Sequence, residues 1–312
     1  MWKGVLDVAG VRERQARRGY TDQCQGVRRF APAEYLAARL LLPARLQPDV
    51  IALVAFMHET DDRIDRGHRR EREAALRQWR TLTSEALAHG TSPQPVLQVL
   101  AWTVGRHPAL RRRVVAFLAG AVQEVAWSRF SSEAEVGRYI EEYSLPALML
   151  SMSLLSPDGA AAAAEFERGC LALITAMQRL DFLEDMSEDI QEGRLGLSDE
   201  ALARHGLSSN DLRPERAAEP EVAALIAAQA HAADIALREA QSIMDLVSPE
   251  YRPFLRAVLR VQEVRSAAVH KAGASLVARP CGPSPVLCGV IVLRELFVRT
   301  SGSGSEGLRR AR

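Results

Sequence analysis

Two acidic stretches carry the residues most able to do chemistry: His58-Glu59-Thr60-Asp61-Asp62-Arg63-Ile64-Asp65 and Asp181-Phe182-Leu183-Glu184-Asp185-Met186-Ser187-Glu188-Asp189. Each holds aspartates at i and i+4, Asp61/Asp65 in the first and Asp185/Asp189 in the second. On a helix this spacing places two carboxylates on one face, one turn apart. Like charges so close repel unless a cation sits between them. Two such helices facing each other make a cage for hard divalent cations, and Mg²⁺ is typically held by a few carboxylates together with substrate phosphates. The chemistry this implies is metal-assisted departure of a diphosphate. Solvated helix faces are the commoner fate of Asp and Glu. Against that stand the apolar stretches just before each cluster, Ile51 to Met57 and Leu171 to Met177. They place both clusters on core helices.

The elements that must position these residues are helical. Ala, Leu, Arg and Glu abound, and β-branched alternation is almost absent. The pattern predicts a helix from Ala33 to Leu42, one opened by Pro48 that leads into the first cluster, and others over 70–89, 93–104, 108–127, 133–155, 159–192, 219–247 and 250–275. A short helix begins at Ser198-Asp199-Glu200. Breakers such as Gly90-Thr91-Ser92-Pro93 and Ser156-Pro157-Asp158-Gly159 separate them. No linker divides the chain, so the expected fold is all-α, a single-domain helical bundle. Residues 1–29 read as an N-terminal extension, 30–285 as the catalytic domain, and 286–312 as a C-terminal helix with a disordered tail after Thr300.

Bulk properties exclude several classes. The formal net charge is +1, so there is no basic footprint for nucleic acid. Four scattered cysteines form no zinc or disulfide pattern. The N-terminus has no signal-peptide core, and the apolar run Val286 to Leu293 is too short to span a bilayer. A cytoplasmic protein without an integral membrane segment, at most peripheral at the membrane, is expected.

The surroundings of the clusters are specific. Tyr35 to Pro43, Ile51 to Phe56 and Asp61-Asp62-Arg63-Ile64-Asp65 resemble the opening of the squalene/phytoene synthase family. Gln178 to Asp189, followed by Gly193-Arg194-Leu195-Gly196-Leu197, resembles its second acidic motif and the tail behind it. The segment Gly120 to Phe130, then Glu135 to Tyr139, also fits. The resemblance covers roughly residues 30–270. It implies an isoprenoid-synthase-type bundle with a central cavity, in which an allylic prenyl diphosphate is ionised. It implies two or three Mg²⁺ ions held through Asp61, Asp62, Asp65, Asp185 and Asp189. Gln178, Asp181 and Arg194 are expected at the substrate. An aromatic wall must shield the carbocation; its candidates are Phe56, Tyr139, Tyr143, Phe166 and Phe182, with Tyr139 counted as catalytic and core packing favoured for Phe166.

Departures from the family pattern refine the expectation. His58 stands nearest the place of an arginine that holds diphosphate, and reads either as a diphosphate donor or as a general base. The second motif has Asp181 and Glu184 where an amide and a guanidinium are usual, and Glu184 is a candidate proton acceptor. The glycine-rich kink is replaced by Ser144-Leu145-Pro146-Ala147-Leu148. Positive charge is thereby lost where two diphosphates would need it. The expected reaction is prenyl transfer from one diphosphate to a non-isoprenoid, aromatic small-molecule acceptor. The alternatives are head-to-head condensation of two prenyl diphosphates, a terpene cyclase, and a catalytically inert relative. Arg256, Arg260, Arg265, His270 and Lys271 are the residues that could restore the missing positive charge.

Overall fold

The computed structural model describes the backbone from Trp2 to Arg309 and side chains within that span, apart from residue 285 and those from 299 onward. The helices are α1 (Trp2–Val8), α2 (Arg14–Phe30), α3 (Pro32–Leu41), α4 (Gln47–Ile64), α5 (Arg69–His89), α6 (Pro95–Arg106), α7 (Leu110–Ala126), α8 (Glu133–Tyr139), α9 (Leu145–Met152), α10 (Ala160–Glu184), α11 (Met186–Gln191), α12 (Asp199–Arg204), α13 (Pro220–Ala240), α14 (Ile243–Leu246), α15 (Arg252–Ala272) and α16 (Pro285–Arg309). Among the described residues the only β pairing is a single bridge between Phe130 and Ser198. No described helix is long and apolar enough to cross a membrane.

Two helices form the centre. α10 packs on α13, α15 and α9, while α4 packs on α2, α5, α6 and α9. Both are apolar nearly all round over their middle turns, as an interior helix must be. In α4, Val50, Ile51, Leu53 and Phe56 are all buried. In α10, Phe166, Cys170, Leu173, Ala176 and Leu180 are fully enclosed. The acidic clusters occupy the ends of these two core helices, as their apolar approaches required.

Four expectations need correction. The segment 133–155 is not one α-helix: a π turn at Ile140–Ser144 separates α8 from α9. Pro146 explains it. Proline donates no backbone hydrogen bond and its ring crowds the carbonyl four residues earlier, here Glu142, so the chain widens by a residue just before it. The expected helix over 159–192 breaks at Asp185 between α10 and α11. Residues 1–29 are not a mere extension. α2 lies on α4 and α6, and its buried Tyr20 donates to Asp49 (3.2 Å) and shares a hydrogen bond with Thr103 (2.9 Å). The stretch after Thr300, expected to be disordered, continues as backbone helix to Arg309.

Candidate active site

Asp61 lies in the last turn of α4, and Asp65 caps that helix. Asp181 lies in the last turn of α10, Asp185 joins α10 to α11, and Asp189 sits in α11. Asp61, Asp65, Asp181, Asp185 and Asp189 all line one cavity of about 840 Å³. The two i,i+4 pairs therefore converge from separate helices.

Their titration records that crowding. Burial, then Asp65 and Glu124, push Asp61 up to about 7, although Tyr143 donates to its Oδ1 at 3.2 Å. Burial and then Asp181, Asp189 and Glu184 push Asp185 up to about 6. Asp65 and Asp189 are raised too, by burial first, with Arg194 opposing in both cases. These are the shifts expected of carboxylates gathered without enough positive charge.

The neighbours of the pairs are set by local structure. Gly120 of α7 faces the backbone of Glu142 and Tyr143 so closely that a Cβ there would collide with it. That close approach brings α7 against the π turn, and the turn carries Tyr143 into the cavity one helical turn after Tyr139. Glu124, one turn beyond Gly120, accepts from the Tyr139 hydroxyl and from Trp127 Nε1 (3.0 Å). Trp127, Phe130, Tyr139, Tyr143 and Phe182 form a continuous ring cluster, with Trp127 stacked on Phe130 at 5.4 Å and Tyr139 edge-on to Tyr143 at 5.5 Å. Gly196 leaves room for the Phe182 ring, which a Cβ there would strike. The segment after α11 is held by Leu195 N–H donating to the Ser128 carbonyl (2.9 Å) and Asp199 N–H to the Phe130 carbonyl (2.9 Å). This brings Arg194 over the Trp127 ring and to 3.2 Å from Asp189. Its Nε is buried with no acceptor.

Of the expected site residues, Asp61, Asp65, Tyr139, Tyr143, Gln178, Asp181, Phe182, Asp185, Asp189 and Arg194 line the cavity. Gln178 is oriented by Ser144, whose hydroxyl donates to it at 2.8 Å. Five others are elsewhere. Asp62 turns outward to Arg66 (2.5 Å) because it sits one residue round the helix from Asp61. His58 is exposed and stacked on Phe30 at 3.6 Å. Phe56 is wholly enclosed between Trp79 and Phe117; it is core, not wall, as is Phe166. Glu184 is buried and does not line the cavity, its carboxylate gripped by Arg265, so its charge is already matched.

The spare arginines are accounted for. Arg256 and Arg260 hold buried Glu295 of α16, and Arg265 also reaches Asp181. His270 pairs with Asp234 at 2.8 Å, and Lys271 is exposed. Sequence reasoning missed Glu124, Trp127 and Arg72. Only the first left a trace, an acid flanked by buried Ala121 and Val125. Arg72 donates to the Glu124 carbonyl at 3.1 Å from the start of α5, a contact no spacing announces.

The squalene/phytoene synthase family model matches residues 29–285. The chain belongs to the squalene/phytoene synthase family. It is 28% identical over 305 residues to the bifunctional protein CrtB/UppS of Streptomyces coelicolor, covering 92% of this chain and 53% of the relative. It is 28% identical to phytoene synthase 3 of Zea mays over 59% of this chain and 44% of the relative. The chain thus spans about half the length of the curated relatives it matches. Among solved structures, a dehydrosqualene synthase with bound ligand aligns with a TM-score of 0.76 at 19% identity, covering 92% of this chain and 98% of that one. Squalene synthase HpnC from Alicyclobacillus acidocaldarius aligns at 0.74, also at 19% identity, covering 88% and 99%. Those likenesses establish the shared all-helical fold. Members of the family are prenyltransferases that use divalent metal ions to bind diphosphate.

The residues fit such an ion only in company. Among the described residues no three acidic, His or Cys side chains converge closely enough to hold a metal alone. The two carboxylate pairs, raised in titration and facing one cavity, match a hard cation that takes its remaining ligands from a bound phosphate group and water. The unpartnered Nε of Arg194 supplies a donor at the same wall.

Proposed function

We propose that this protein is a Mg²⁺-dependent prenyltransferase whose cavity ionises an allylic prenyl diphosphate. One observation carries the reading: Asp61/Asp65 and Asp185/Asp189 meet in the same cavity as a wall of Trp127, Tyr139, Tyr143 and Phe182. Bound Mg²⁺ held by those carboxylates would neutralise the leaving diphosphate. Arg194 and Arg72 supply further positive charge beside it. The ring faces stabilise an allylic cation and exclude water. Tyr139 is no proton source near neutral pH: burial and then Glu124 hold its hydroxyl well above the ordinary tyrosine value. Its role is to orient Glu124 and close the wall.

Two acceptors are consistent with the site. The relatives' names favour a second prenyl diphosphate and a phytoene- or squalene-type product. The commitment of Arg265 to Asp181 and Glu184, and of Arg256 and Arg260 to Glu295, favours a single diphosphate and a non-isoprenoid, aromatic acceptor. Incubation with farnesyl or geranylgeranyl diphosphate and Mg²⁺ alone separates them. A C30 or C40 hydrocarbon selects head-to-head condensation. Diphosphate release that forms no hydrocarbon, and a prenylated product only when an arene is added, selects the second.

A further inference from the structure

The last turn of α10 and the turn after it concentrate Asp181, Glu184, Asp185, Glu188 and Asp189. Asp181 and Glu184 sit at the carboxyl end of α10, where the helix dipole is negative, and i,i+3 and i,i+4 neighbours among the five repel. One guanidinium answers two of the five. Arg265, from the facing helix α15, donates through Nε to both Glu184 oxygens (3.1 Å each) and through Nη2 to Glu184 (2.6 Å) and to Asp181. Its remaining Nη1 is fixed by Gln262 at 3.0 Å. Arg265 and Glu184 are both nearly enclosed, with side chains 12% and 8% exposed, so the pair is not a solvent-screened surface contact. Glu184 is anchored on its backbone too, where its carbonyl accepts from Cys281 N–H at 3.3 Å. Asp189 is met by Arg194, whereas Asp185 has no cationic partner among the described residues. The charge is therefore partitioned: Glu184 is closed off, Asp181 is tied to Arg265 at the cavity wall, and Asp185 is left without a cationic partner.

We propose that Arg265 is a positioning residue that decides which carboxylates of the second cluster are available to a cation, by holding Asp181 and Glu184 and leaving Asp185 unpaired. This rests on the reading of the cavity as a diphosphate-ionising site, but it concerns the cation alone. The mechanism is electrostatic and steric. While Glu184 is locked it cannot swing toward the cavity, and while Arg265 is locked it cannot repel a metal there.

The test is the Mg²⁺-induced rise in melting temperature of the full-length, metal-stripped chain, titrated without any prenyl compound. Asp181→Asn/Glu184→Gln leaves the guanidinium without its partners, and the Mg²⁺ concentration at half effect should rise roughly two- to fivefold, the coupling of a partly screened charge. Arg265→Gln frees two carboxylates and should lower that concentration by a similar factor; Arg265→Lys should restore a value near wild type. Equal half-effect concentrations in all four proteins, a shift of opposite sign, or no Mg²⁺ response in any of them overturns the proposal. If Arg265→Gln or the double variant fails to fold, Asp181→Asn alone decides, since it keeps Arg265 paired with Glu184; its half-effect concentration should rise in the same direction as the double variant's. Diphosphate release by a wild-type protein whose variants titrate identically would overturn the role of Arg265 while sparing the prenyltransferase reading.

Discussion

At the scale of residues, the cavity is an assembly of carboxylates in excess of their cations, and that excess is testable without substrate. Asp61 is raised to about 7 and Asp185 to about 6 in the folded chain, against about 3.9 when unfolded. The folded state thus binds protons more tightly, and the stability this adds is present at low pH. It is lost as pH rises through the interval from about 4 to about 7. In EDTA, the melting temperature of wild type minus that of Asp61→Asn should become more negative between pH 5 and pH 8. A difference that stays flat or grows more positive contradicts the electrostatics. Mg²⁺ at pH 8 should reverse most of the loss in wild type and little of it in the variant. His58, exposed and stacked on Phe30, lies outside this economy. His58→Ala should keep diphosphate release within about twofold of wild type, as a surface change does; a loss beyond tenfold would return that residue to the site.

At the scale of elements, the cavity depends on how closely α7 can approach the π turn. A methyl group at position 120 collides with backbone rather than with a flexible side chain. Gly120→Ala should therefore cost about 1–3 kcal/mol and displace Tyr143, so that melting temperature and turnover fall together. A variant with wild-type stability and activity would mean that the helices yield. These local features explain what could be read in advance. The two clusters and their apolar approaches were legible because i,i+4 spacing on a buried helix has one geometric meaning. The π turn was only half legible: Pro146 announced a break but not its form, which depends on contact with Gly120 from another helix. Phe56 and Phe166 were ambiguous in kind, because a phenyl ring looks the same in sequence whether it lines a cavity or fills a core. Asp62 was assigned by its type, and only the rotation of α4 separates it from Asp61.

At the scale of the molecule, the all-helical fold followed from composition and breakers, whereas the charge balance did not. The acids at 181 and 184 read as added negative charge in the cavity, yet Arg265, far along the chain, neutralises them across the α10–α15 interface. The N-terminal helices are likewise integral: Asp49, fully buried, is held jointly by Tyr20, Arg106 and His107. Asp49→Ala leaves Arg106 and its hydrogen-bonding neighbours facing a void and should cost about 3–5 kcal/mol, read by chemical denaturation; an unchanged midpoint would detach α2 from the fold. The central claim is that two carboxylate pairs meeting in one cavity ionise an allylic diphosphate. It is tested most directly by Mg²⁺-dependent diphosphate release from geranyl, farnesyl and geranylgeranyl diphosphates, with wild type beside Asp61→Asn and Asp185→Asn at unchanged helical circular dichroism. The account predicts release by wild type from at least one of the three and its loss in both variants. Release that persists in either variant, or none from any substrate, contradicts it.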